Sequence, residues 1–312
     1  MPANEEEKQS QVIMRESVGF WQDGFRRLRK NKVAMVSLFV IIVVMIFSFI
    51  VPAFYPYDYK TQIKGSENLH PMQYSEKEIE RMDAGEKVFP HVLGTDKMGR
   101  DYAIRVMMGS RISLLVGLIA TAIIFVIGSL IGSISAFFGG WVDLIIMRIV
   151  DIISTIPLTL YVILIMQVLG AGIQSIIVAL GSVYWVDMAR VVRGQILSLK
   201  QQEFVLAAKT IGSSATTILF DHLIPNALGS ILVTITMLIP SAIFMEAFLG
   251  YLGIGLQPPL ASLGTMCNDA SANLRTSPHE LLIPALMICV IMFAFNFVGD
   301  GLRDALDPKL KK

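Results

Sequence analysis

Charge is scarce in this 312-residue chain: only 16% of it is Asp, Glu, Lys or Arg, against roughly 25% in average soluble domains. The deficit is uneven. Long uncharged stretches alternate with polar segments, which excludes an ordinary soluble domain and marks a polytopic membrane protein. A formal net charge of +1 leaves no global basic field, so no nucleic-acid partner is expected. Cysteine is also sparse. Cys267 and Cys289 are too few for a disulfide framework, and each reads as a small apolar residue. There is no G-x-x-x-x-G-K-S/T phosphate loop, no H-E-x-x-H and no paired-cysteine metal spacing. The four histidines, His70, His91, His222 and His279, are scattered. These absences argue against a nucleotide cradle and against a membrane enzyme.

What is present is a series of apolar runs. A spanning helix needs about 20 mostly apolar residues, because the hydrocarbon core is roughly 30 Å thick. Val33–Ala53 is uncharged and follows the basic flank RRLRKNK (Arg26–Lys32). It is too long for a signal-peptide core and reads as a retained first helix. Ile112–Trp141 is the second span. Ile152–Val186 is too long for one crossing and reads as two helices turning at Gly170-Ala171-Gly172. Leu223–Met245 and Leu281–Gly299 complete six. Pro157 and Pro240 are expected to kink their helices, whereas Pro225 and Pro284 fall in expected first turns. The G-x-x-x-G of Gly128 and Gly132 permits close helix approach.

With the N-terminus inside, segments 1–32, 139–152, 187–222 and 300–312 carry seven, one, four and four Lys or Arg. The short outer segments 170–172 and 246–280 carry only Arg275. This satisfies the positive-inside rule with both termini cytoplasmic. The reading therefore divides the chain into a cytoplasmic segment 1–32, a first transmembrane helix 33–53 and an extracytoplasmic segment 54–111. A core of five transmembrane helices follows at 112–306, and a cytoplasmic tail at 307–312. Segment 54–111 is either a solvated loop packed on the outer helix ends or a docking surface for an extracytoplasmic partner.

Ionisable residues at membrane depth are functional candidates, but here they lie almost wholly at helix ends: Asp143, Arg148, Asp151, Asp187, Arg190, Arg193, Asp300, Arg303 and Asp304. Glu246 stands apart, with long uncharged flanks on both sides. The cytoplasmic loop 200–222 is the most informative stretch. Its Glu203–Ile211 portion favours helix, with Phe204, Ala207, Ala208 and Ile211 at i, i+3, i+4 and i+7. Gly212 stops that helix, and Ser213 or Ser214 caps the next. A short helix outside the membrane with an apolar stripe must bury it against something.

At this loop the sequence resembles a known family. EFVLAAKTIG (203–212), then nine residues and HLIPN (222–226), resembles the "EAA" motif of membrane subunits of bacterial ABC importers. HVLGTDKMGRDYAIRVMMGSRISLLVG (91–117), EAFLGYLGIGLQPPLASLG (246–264) and GDGLRDALDP (299–308) narrow the resemblance to the C-type permease of oligopeptide, dipeptide and nickel importers. Asp221, where a basic residue is common, and Leu249-Gly250-Tyr251 and Leu263 depart from the family pattern.

The resemblance implies an all-α, six-helix, type I importer permease in the bacterial cytoplasmic membrane. It would form half of a translocation path, most readily for oligopeptides. The implied partners are a second homologous permease, two ATP-binding cassette ATPases that bind ATP and Mg, an extracytoplasmic substrate-binding protein, a peptide substrate and the lipid bilayer. This chain would bind no cofactor or metal and carry no catalytic residue. Carried over, Glu203, Phe204, Ala207, Ala208, Ile211 and Gly212 would be its ATPase-coupling residues. The rival expectation is an autonomous secondary transporter of small solutes, which calls for mid-span ionisable sites and internal repeats.

Overall fold

The computed structural model describes residues 20–306; residues 1–19 and the expected tail 307–312 lie outside them. Among the described residues regular structure is helical, and the one β pairing is an isolated bridge between Thr95 and Asp101. Helix α1 (Phe20–Lys30) meets α2 (Lys32–Phe49) at Asn31, whose side chain accepts from the Ala34 amide at 3.1 Å and starts the second helix. A 3₁₀ turn at Val51–Ala53 ends this first crossing.

In segment 54–111, α3 (Glu76–Asp83) begins at a capping box in which Glu78 reaches back to the Ser75 amide at 2.8 Å. Helix α4 (Tyr102–Phe138) begins ten residues before the predicted span start at Ile112. Asp101 caps it, accepting from the Ile104 amide at 3.0 Å. Charges such as Arg105 and Arg111 mark where apolar sequence begins, and a helix end is set instead by its cap. The predicted second span also overran its C-terminus: Gly139 at φ +66° ends α4, so Trp141 belongs to α5 (Gly140–Thr155).

At Ile156-Pro157 the chain bends by 87° into α6 (Leu158–Leu169). Pro157 is therefore a break between two helices, and its missing N–H suits the head of α6. Twelve residues give α6 only about 18 Å, too short to cross alone. Among the described residues five helices are long and apolar enough to span by themselves, or six if the bent α5–α6 pair counts as one broken span. Gly170-Ala171-Gly172 turns the chain into α7 (Ile173–Leu199), which continues past the predicted end at Val186 and carries Asp187, Arg190 and Arg193 on its own cytoplasmic turns.

Helix α8 (Glu203–Thr210) lies between α7 and α9 (Ala215–Tyr251), followed by α10 (Leu263–Ser271) and α11 (Pro278–Leu306). Helix α11 starts at Pro278, so Pro284 lies inside it rather than in the predicted first turn. Pro225 does fall, as expected, in the first turn of the α-helical stretch Ile224–Tyr251, just after a π-helical stretch at Ile218–Leu223. Its ring would collide with the Asp221 carbonyl four residues back, and the widened turn relieves that collision. The Asn226 amide donates to the His222 carbonyl at 2.6 Å.

Helix α4 is the central post of the fold. A Cβ on Gly128 would sit 2.8 Å from the Trp185 carbonyl oxygen, and one on Gly132 only 2.4 Å from that of Ala189. The two glycines thus set the α4–α7 backbone approach. Cytoplasmic-side packing joins Ile124, Met188, Val192, Ile196, Leu223 and Ile231; the outer half joins Leu114, Ile243, Leu263, Met266 and Ile291. Val36, Phe39, Ile145, Leu164 and Phe293 remain exposed, as a lipid-facing surface requires.

Candidate functional site

The loop between α7 and α9 is held as a platform. Lys200 donates through Nζ to the carbonyls of Phe137 at 2.6 Å and Ala136 at 3.3 Å, satisfying orphan acceptors at the end of α4. Close by, Arg193 of α7 meets both oxygens of Asp143 in α5 at 2.5 and 2.6 Å, and Ser135 of α4 donates to the same carboxylate. Arg190 reaches Asp151 at 3.2 Å, and Arg148 lies 3.7 Å from it. The interfacial charges are thus largely paired with one another.

On this platform α8 is short and firmly ended. Its C-terminus is a Schellman arrangement: the Ser213 amide donates to the Ala208 carbonyl at 3.0 Å and the Gly212 amide to Lys209 at 3.1 Å. Gly212 takes the left-handed φ of +82° that this motif needs. Ser214 then caps the next helix, accepting from the Thr217 amide at 3.1 Å.

The predicted stripe of Phe204, Ala207, Ala208 and Ile211 is not the face that packs inward. Only Ala208 of the four is buried, and Val205, absent from the predicted set, is fully buried beside it against Ile218, Leu219 and Leu223. Glu203, Phe204, Ala207, Ile211 and Gly212 are exposed, Ile211 at 82%. Leu206 joins them at 53%. A spacing template reports which residues share a face, but not which face the short links to α7 and α9 turn inward. The result is a helix held by two small side chains, showing bulky apolar ones to the cytoplasm.

Two polar clusters sit at the opposite end. His91, fully buried, lies between Glu78 (Nε2 to Oε1, 3.0 Å) and Asp101 (Nδ1 to Oδ2, 2.8 Å), with Tyr57 stacked on its ring at 4.5 Å. Burial alone would lower the imidazole pKa, but the two carboxylates outweigh it and hold it above its ordinary value of 6.5. Burial likewise opposes ionisation of Glu78, yet hydrogen bonds from Ser75 and His91 keep its carboxyl below the ordinary 4.5. Burial pushes the Tyr57 phenol up to about 12. Asp96 accepts from Arg100 at 2.7 Å and pairs with Arg105, which lies 3.6 Å from Asp269 of α10. The Arg105–Asp269 contact ties segment 54–111 to α10.

Glu246 is fully buried in α9. It accepts from Ser113 of α4 at 2.6 Å, and Ser113 Oγ lies 3.4 Å from the Leu263 amide, so three elements meet there. The lone carboxylate was visible in the sequence. Its partner, 133 positions earlier, was not.

The structure is thus a bundle of membrane-crossing helices that carries a short helix outside the bilayer, between two long spans. The chain belongs to the family described as binding-protein-dependent transport system inner membrane components, whose profile matches residues 126–312. Residues 19–71 match the N-terminal transmembrane domain of oligopeptide transport permease C. The oligopeptide transport system permease protein of Bacillus subtilis is 45% identical over 311 residues, spanning 100% of this chain and 97% of the relative. The dipeptide transport system permease protein of the same organism is 41% identical, over 99% and 92% of the two chains. Among solved structures, a chain of the methionine ABC transporter MetNI in an inward-facing conformation aligns with a TM-score of 0.56 at 19% identity, covering 65% of this chain and 96% of that one. That likeness concerns the fold, which is that of type I importer permeases. The protein is accordingly a multi-pass protein of the cytoplasmic membrane.

Proposed function

We propose that this chain forms half of the translocation path of an ATP-driven peptide importer, oligopeptides being the first substrate class, and that α8 is where partner ATPases act on it. The observation that carries the coupling role is the exposure of Phe204, Leu206 and Ile211 on a cytoplasmic helix whose own core contact is limited to Val205 and Ala208. Exposed apolar side chains in one place mark a protein contact. Glu203, Ala207 and Gly212 lie on the same outward surface, while Ala208 serves from beneath by seating the helix.

On this reading a second homologous permease completes the path, two ATPases bind ATP and Mg, and an extracytoplasmic binding protein delivers the peptide. This chain contributes no hydrolytic residue. Closure of the ATPase pair displaces α8, and the short links at 200–202 and 211–214 pass the movement to α7 and α9. ATP shifts the inward-open and outward-open populations only through its differential contacts in the two states. Membership of a binding-protein-dependent family weighs against an autonomous secondary transporter.

The test uses the assembled complex in vesicles. An Ile211→Asp change is expected to weaken ATPase association and abolish ATP-dependent peptide uptake while leaving the chain folded. Peptide uptake by this chain alone, with no ATPase present, would sink the proposal.

A further inference from the structure

Helix α1 is strongly two-sided. Gly24 is buried, with Leu306 of α11 so near that a Cβ at Gly24 would lie 2.8 Å from the leucine side chain. Leu28, one turn on, lies beside Gly301 of α11. At about 100° per residue, Phe25, Arg29, Arg26 and Lys30 then follow one another round the opposite side, all exposed. Arg27 is already neutralised by Asp23 at 2.9 Å, whereas Arg26, Arg29 and Lys30 pair with no described carboxylate. The Arg29 guanidinium lies over the Phe25 ring, 4.7 Å from its centroid, and the ring itself is 57% exposed.

The fold fixes the height of this surface. One residue, the cap Asn31, separates α1 from the head of the first membrane span, whose Val33, Val36 and Phe39 are exposed as lipid-facing residues are. The arc of cations therefore stands at the level of the cytoplasmic headgroups. Its apolar member Phe25 borders a cation that reaches over it, the pattern of a helix lying in the interface with its charges raised to the phosphates.

We infer that the outer face of α1 is a binding site for anionic phospholipid, with Arg26, Arg29 and Lys30 holding the phosphate and Phe25 seated at the acyl boundary. Juxtamembrane Lys and Arg at the inner leaflet gain affinity from anionic lipid, each by a modest increment. Such a site fixes the attitude of α1, and through Gly24 and Leu28 the cytoplasmic end of α11.

The experiment takes the purified full-length chain, exchanges it into phosphatidylcholine containing a minor fraction of phosphatidylglycerol or cardiolipin, and counts retained lipids by native mass spectrometry. The wild type is expected to retain anionic lipid in excess of its bulk fraction, and 1 M salt to reduce that excess. The triple change Arg26→Gln, Arg29→Gln, Lys30→Gln should lower anionic-lipid retention on the order of tenfold without changing phosphatidylcholine retention. Arg26→Lys with Arg29→Lys should keep most of it, which separates loss of charge from misfolding. Equal retention by the wild type and the glutamine variant would overturn the inference. So would a glutamine variant that keeps its lipid but loses a soluble ATPase partner, because the surface would then belong to that protein.

Discussion

Arg193 and Asp143 clasp each other through two hydrogen bonds, at 2.5 and 2.6 Å, across the corner where α4, α5 and α7 meet the cytoplasm. The guanidinium fork fits a carboxylate in two-point fashion, which lysine cannot reproduce. Asp143→Asn and Arg193→Lys should each destabilise the chain in detergent, and a double-mutant cycle should return a coupling of about 1–2 kcal/mol. A coupling near zero would show that the clasp is not formed in solution.

The close α4–α7 approach makes an uneven prediction for glycine. Gly132→Val should abolish accumulation of folded protein, because its side chain meets the Ala189 backbone, which has no room to move. Gly194→Ala, in α7 with open space beyond it, should be neutral or stabilising by about 0.5–1 kcal/mol. Thermal unfolding followed by size-exclusion chromatography separates the two outcomes.

The His91 cluster gives the stability of segment 54–111 a pH dependence whose sign is fixed. The raised His91 pKa supplies stability that is complete below 6.5 and is lost as pH rises through the folded value. The lowered Glu78 pKa supplies stability complete above 4.5 and lost as pH falls through its folded value. Both contributions are therefore whole between pH 4.5 and 6.5. The melting temperature of the wild type minus that of His91→Gln should decline above that window. A difference independent of pH between 5 and about 9 would refute it.

Seating of α8 rests on Val205. Val205→Ala should loosen the helix by about 1–2 kcal/mol, seen as faster amide exchange over 203–210 with the spans unaffected. Ile211→Ser, at an exposed position, should leave that exchange unchanged. If the two behave alike, the inward face has been misassigned.

Apolar runs and charge asymmetry located the crossings because a bilayer punishes charge wherever it falls. They failed at the head of α4 and at both ends of α11, where helix persists beyond the apolar run, and at Gly139 and Pro157, where backbone geometry overrides hydropathy. Motif residues 203–212 lie together at the cytoplasmic surface, yet their inward face depended on how links of a few residues rotate α8, which no periodicity records. Ser113 with Glu246, and His91 with Glu78 and Asp101, join residues on separate elements. Single residue types in the sequence gave no sign that they meet.

Helix α4 has one end at Asp101, whose second oxygen is bound to His91, and the other at the Phe137 carbonyl, gripped by Lys200 at the root of α8. Its 37 residues make an unbroken rod of about 55 Å, nearly twice the hydrocarbon thickness. One continuous helix therefore joins the His91 cluster at its outer end to the root of α8 at its inner end. Spin labels at its two ends would report one motion, in phase, on both sides of the membrane.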